Sequence, residues 1–141
     1  PRASQRAPGR LAPGAPARLV AIFDWELATI GDPLADVGYL TATYPEPGDD
    51  QGTLFALAAV TTREGFPTRA ELIARYEERS GRSMRDVRWY QTLAMWKSAI
   101  FLEGSYKRLL AGTTDDPFFR MLDTGVPEIA ARASAIAHGD G

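Results

Sequence analysis

The chain has 141 residues, 45% hydrophobic and 24% charged, with a net charge of −2 and no cysteine. That is enough for one domain with a real core. It excludes disulfides and thiolate metal sites and gives no bulk attraction for nucleic acid or membrane. His138 is the single histidine, so a histidine-based triad or zinc centre is excluded as well. With no membrane-length apolar run and no secretory segment, a cytoplasmic protein is expected.

Residues 1–18 stand apart. Ala, Arg, Pro and Gly fill 15 of the 18 positions, with four arginines and no acid. Four prolines and two glycines without periodicity predict a disordered or irregular basic arm. Without aromatics it makes a poor nucleic-acid ligand. Residues 19–141 form the domain proper. Leu19 to Phe23 is a continuous apolar run between breakers and predicts a short buried strand, ending at Asp24. Asp32 suits a helix N-cap and Pro33 the first helical position, so a helix is expected from Pro33 to about Leu40. Tyr44 to Gly52 is rich in Pro, Gly and Asp and predicts a loop. Thr53 to Glu64 carries only a weak helical signal, given its Thr and Val content.

Thr68 followed by Glu71 forms a capping box, so Arg69 to Arg79 is predicted helical, stopping at Gly81. A long helix is expected from about Asp86 to Leu110. Trp89, Leu93, Trp96, Ile100, Glu103 and Lys107 recur at steps of four and three, on one stripe. Met95, Ala99, Leu102 and Tyr106 make an adjoining stripe. The helix is therefore expected to lie at the centre of the core. A last helical stretch, Pro117 to Ala137, is expected to break near Gly125-Val126-Pro127.

The chemistry concentrates at Asp24. Mg²⁺ prefers hard oxygen ligands and takes only one or two protein carboxylates, with phosphates and water completing the octahedron. An Asp delivered rigidly to the end of an apolar run suits that role. Asp36 sits inside the following helix, where its poor propensity calls for a tertiary partner such as loop N–H groups. The alternative is plain: an Asp after an apolar run is very often a turn or cap residue.

The joint pattern Ile22-Phe23-Asp24-Trp25-Glu26-Leu27-Ala28-Thr29-Ile30-Gly31-Asp32-Pro33-Leu34-Ala35-Asp36-Val37-Gly38 resembles the metal-binding segment of the aminoglycoside-phosphotransferase and choline-kinase superfamily. Phe66-Pro67-Thr68, Ser80-Gly81-Arg82, Arg88-Trp89-Tyr90 and Trp96-Lys97 extend the likeness. Its nearest branch is the phosphotransferase-like domains attached to some acyl-CoA dehydrogenases. The resemblance covers about Leu19 to Leu110. It implies a mainly α structure: the helical C-terminal lobe of a protein-kinase-like α+β fold, with one short N-terminal strand or hairpin.

It further implies that Asp24 binds Mg²⁺, that Asp36 braces the catalytic loop, and that Asp32 supports the site from its helix start. Glu26, Trp89, Trp96 and Glu103 become candidates for an acceptor pocket. The competing expectation puts both tryptophans in the core and pairs Glu103 with Lys107. ATP and Mg²⁺ are the implied cofactors, and a small-molecule hydroxyl is the implied acceptor.

Kinase chemistry also needs a catalytic Asp and a metal-holding Asn. In this family a His-Gly-Asp loop is expected roughly 15–20 residues before the metal Asp. Neither Asp nor Asn occurs before Asp24, and His138-Gly139-Asp140 lies at the wrong end. The expectation is a lobe that is silent alone. The rival is a non-catalytic helical module, with a homodimer through exposed apolar surface as one consequence.

Overall fold

The computed structural model describes residues 20–49, 52 and 56–139. The basic arm, and Leu19 of the expected strand, lie outside the described residues. By packing, the chain divides into two compact units, Pro1–Gly31 and Asp32–Gly141.

The second unit is helical, as expected. α1 spans Leu34–Ala42, a 3₁₀ helix Ala56–Thr62 follows, and α2 spans Arg69–Ser80. α3 is the 24-residue helix Val87–Leu110, followed by α4, Pro117–Arg120, and α5, Leu122–His138. α3 is the axis, packed against α1 and α5, with α4 touching both α3 and α5 and α2 touching α1. None of the described helices is long and apolar enough to cross a membrane.

Local chemistry accounts for the helix ends. Thr68 Oγ1 accepts the Glu71 amide at 3.1 Å while Glu71 Oε2 accepts the Thr68 amide at 2.7 Å, so two of the free N–H groups at the α2 start are satisfied reciprocally. α2 stops at Gly81, whose φ of 67° is left-handed and costs glycine little. At α1 the cap is offset by one residue from expectation. Pro33 takes the cap position, yet Asp32 still caps chemically, its Oδ1 accepting the Leu34 amide at 3.0 Å. The loop before α2 is clamped to it: Arg69 pairs with Glu46 at 2.7 Å and Asp49 at 3.0 Å, and Glu46 Oε1 also accepts the Arg69 amide.

The core is built from small side chains. Ala42, Ala94, Met95, Ala99, Ile129 and Ala133 are buried together, with Leu102 and Ile136 packed against them. Such residues let α1, α3 and α5 approach closely. The tightest point is Gly38, where a Cβ would lie 2.5 Å from Tyr90 Cβ. The fully buried Thr41 hydroxyl in this layer is satisfied: its Oγ1 donates to the Val37 carbonyl and accepts from Gln91 Nε2 at 3.0 Å.

Three expectations are corrected. Val20 to Asp24 carry no regular structure, and Val20 and Phe23 are 82% and 84% exposed, so neither the buried strand nor a hairpin forms among the described residues. A strand exists only within a ladder, and no described segment pairs with this one. The break near Gly125–Pro127 is absent, because α5 runs through Pro127 and the discontinuity falls at Met121. Pro127 forfeits a single bond, while Asp116 capping Phe118 at 2.9 Å starts α4 as a separate turn. Finally, Trp89 and Trp96 are exposed rather than core. The core took the Met95–Ala99 stripe instead.

Candidate functional site

The first unit presents Asp24 in an unusual setting. Its φ and ψ are 69° and 51°, and it is the sole non-glycine residue with positive φ among the described residues. A left-handed L-residue costs on the order of 1–2 kcal/mol, least for Asp and Asn. What sustains it is local. Residues Trp25–Leu27 form a 3₁₀ turn closed by the Ala28 amide on the Trp25 carbonyl at 2.9 Å. The Trp25 indole N–H reaches back to the Ile22 carbonyl at 2.8 Å. Phe23 and Asp24 are thus bracketed by a latch and a turn.

The Asp24 carboxylate makes no hydrogen bond within its turn and no ion pair with a described residue. It is exposed, as is Glu26 in the same turn. Strain at a polar residue with an uncommitted side chain is a common mark of a functional position. As a donor set it fits Mg²⁺, which asks the protein for few carboxylates. No three His, Cys, Asp or Glu side chains converge as a metal cage among the described residues.

In the second unit, Asp32 behaves oppositely. Its Oδ2 accepts the Tyr90 hydroxyl at 2.5 Å and its Oδ1 the Leu34 amide. The Tyr90 bond first, then that amide, with Arg82 adding attraction, hold the carboxyl below its ordinary value, and the Tyr90 phenol is pushed up by the same bond. Asp32 is a tie between the α1 start and α3. Asp36, in the first turn of α1, is exposed and makes no hydrogen bond to a described residue, so its expected tertiary partner is absent there. It sits where helix-terminal N–H groups favour negative charge.

The expected acceptor-pocket residues fall in both units: Glu26 lies in the first, and Trp89, Trp96 and Glu103 all lie on α3 of the second. Trp89 and Trp96 are exposed on α3 and Glu103 pairs with Lys107 at 3.9 Å, as the competing expectation held for that acid. Sequence reasoning missed the Trp25 latch, the Tyr90–Asp32 tie and a second tie, Tyr106 to Asp123 at 3.0 Å. The first had a usable signal, an indole one residue after the candidate ligand. The other two join residues far apart in the chain, and nothing local announces them.

Residues 12–90 match the phosphotransferase enzyme family, and the chain belongs to that family. Among curated proteins it is similar to acyl-CoA dehydrogenase family member 10 of Mus musculus, 35% identical over 98 residues, which are 68% of this chain and 9% of that protein. Acyl-CoA dehydrogenase family member 11 of Mus musculus is 32% identical over 108 residues, 72% of this chain and 13% of that protein. The Gallus gallus member 11 is 34% identical over 102 residues, 68% and 13% respectively. The chain thus spans about a tenth of the length of the relatives it matches. No solved structure is significantly similar to it.

Proposed function

We propose that this chain is the metal-binding and helical portion of a small-molecule kinase, in which Asp24 holds Mg²⁺ against nucleotide phosphates. The reading is carried by one observation: within the stretch that matches the family, Asp24 is strained, latched and without a side-chain partner among the described residues. Bound there, Mg²⁺ would neutralise charge developing on the transferred phosphoryl group. Asp24 would supply a fixed oxygen ligand, and Glu26, exposed in the same turn, would assist the metal or the substrate. Asp32, tied to Tyr90, keeps the α1 start in place, and Asp36 would brace a catalytic loop through its outward carboxylate.

The 141 residues contain no Asn, and their one His is His138. The catalytic Asp and second metal ligand that phosphoryl transfer needs are therefore not supplied by the segment around Asp24. By this reading the chain alone is catalytically silent, and the acceptor in a complete enzyme is a hydroxyl-bearing small molecule. The test is ATP turnover by the purified chain with Mg²⁺. No turnover above the uncatalysed rate is expected. Turnover abolished by Asp24→Ala would overturn the silent assignment while keeping the metal role. Turnover indifferent to Asp24→Ala would overturn both.

A further inference from the structure

α3 is a helix with two apolar faces, and the described helices of its unit cover one of them. Ala94, Met95, Ala99 and Ser105 are buried against the neighbouring helices. On the adjoining face Trp89, Trp96 and Ile100 are 61%, 56% and 54% exposed, with half-buried Leu93 between them. The steps of four and three continue through Glu103 to Lys107, which is the a/d spacing of a coiled-coil seam. Two exposed tryptophans in one row are not scattered surface residues. A contiguous patch of this kind marks a contact surface.

Spacing and charge select a second copy as the occupant, and area sets how tightly it is held. A seam of large apolar rungs is complementary to itself when two copies run antiparallel, and such a two-fold pair closes without leaving a free edge. In the register that sets Trp96 against the partner's Ile100, the symmetry lays Lys107 over the partner's Trp89, a cation–π placement. The same register brings Glu103 within one turn of the partner's Lys97. An aromatic side chain carries on the order of 150–250 Å². The exposed parts of this row, with the flanking lysine stems, thus offer roughly 500 Å² per copy. That falls just under the low end of specific interfaces, about 600 Å² a side. Reversible association follows, rather than an obligate dimer.

We propose that the chain self-associates as an antiparallel, two-fold pair through Trp89, Leu93, Trp96 and Ile100 of α3. This does not depend on the phosphoryl-transfer reading. Sedimentation velocity on the 141-residue chain, from low to high micromolar concentration, should show a monomer–dimer equilibrium. Tryptophan emission should shift to the blue over the same range as Trp89 and Trp96 leave water. Ile100→Glu replaces an exposed residue with a good helix former. It should keep the circular dichroism unchanged, remain monomeric, and lose the concentration-dependent emission shift. Because the chain has no cysteine, Trp96→Cys mixed with Ile100→Cys should cross-link under mild oxidation faster than either alone. A wild-type chain monomeric at every concentration overturns the proposal. So does dimerisation unaffected by Ile100→Glu, or growth beyond the dimer into open-ended aggregates. Faster cross-linking of Trp96→Cys alone overturns the antiparallel arrangement.

Discussion

Asp24 and Asp32 sit close in sequence, in separate units, and the chain treats them in opposite ways. Asp32 is consumed by the fold: a tyrosine hydroxyl and a backbone amide occupy its two oxygens, and its charge ties α1 to α3. Asp24 stands in a left-handed turn held by the Trp25 indole, with no described side chain engaging its carboxylate. A carboxylate already satisfied by protein donors has little left for a cation, whereas one held in place but unsatisfied is pre-organised for it. Capping alone, which sequence suggests for any Asp before a helix, cannot tell these two apart. Geometry does.

If the helical unit is the rigid partner in this contrast, its core should be sensitive. Met95 is fully buried, so Met95→Ala should lose about 2–5 kcal/mol in chemical denaturation. A loss under about 1 kcal/mol would mean the centre of the bundle is not packed as described. Gly38→Ala comes next. Alanine favours helix by about 1 kcal/mol over glycine, but here its Cβ would meet Tyr90 Cβ and backbone at 2.5 and 2.7 Å. The overpacking should win and cost about 1–3 kcal/mol net. A stabilised Gly38→Ala would show that α1 and α3 sit further apart.

Thr68→Ala removes the α2 capping box and should cost about 1 kcal/mol. A smaller effect comes from pH. The Asp32 carboxyl titrates below its ordinary 3.8 in the folded chain, so its contribution is present above that value and fades as pH falls through the lowered folded one. The Tyr90 phenol is raised above its ordinary 10.0, so its part of the same bond is present below pH 10 and fades as pH climbs further. Tyr90→Phe should flatten both limbs of the stability profile, and unchanged limbs would mean the tie is not made in solution. The smallest expected effect is at Asp24 itself. Asp24→Asn, which keeps a side chain tolerant of the left-handed turn, should leave thermal unfolding within about 0.5 kcal/mol, because no described side chain relies on the carboxylate charge.

What could be read from sequence follows from how local each signal is. α2 was legible to within one residue because Thr68, Glu71 and Gly81 carry its ends in their own side chains and backbone freedom. The extent of α3 was legible from periodicity, but its inner face was not. Both of its stripes are apolar, and it is the buried side chains of α1 and α5, Ala42, Ile129 and Ala133, that take the Met95–Ala99 stripe inward while the tryptophans stay out. The described part of the apolar run, Val20–Phe23, failed as a strand because composition names a candidate strand and never its partner. Pro127 failed as a breaker because its missing N–H lies near the start of α5, where one lost bond is tolerated. At the candidate site, the motif singles out Asp24 as a residue. Its left-handed backbone and the Trp25 latch were not legible, since both arise from a turn that no spacing rule encodes.

The most direct measurement is amide line-broadening by Mn²⁺, a paramagnetic stand-in for Mg²⁺, followed residue by residue on the isotope-labelled chain. The account predicts broadening centred on Phe23 to Glu26, lost in Asp24→Asn, with the amides around Asp32 unaffected by that substitution. Broadening centred elsewhere, or undiminished in Asp24→Asn, would contradict it.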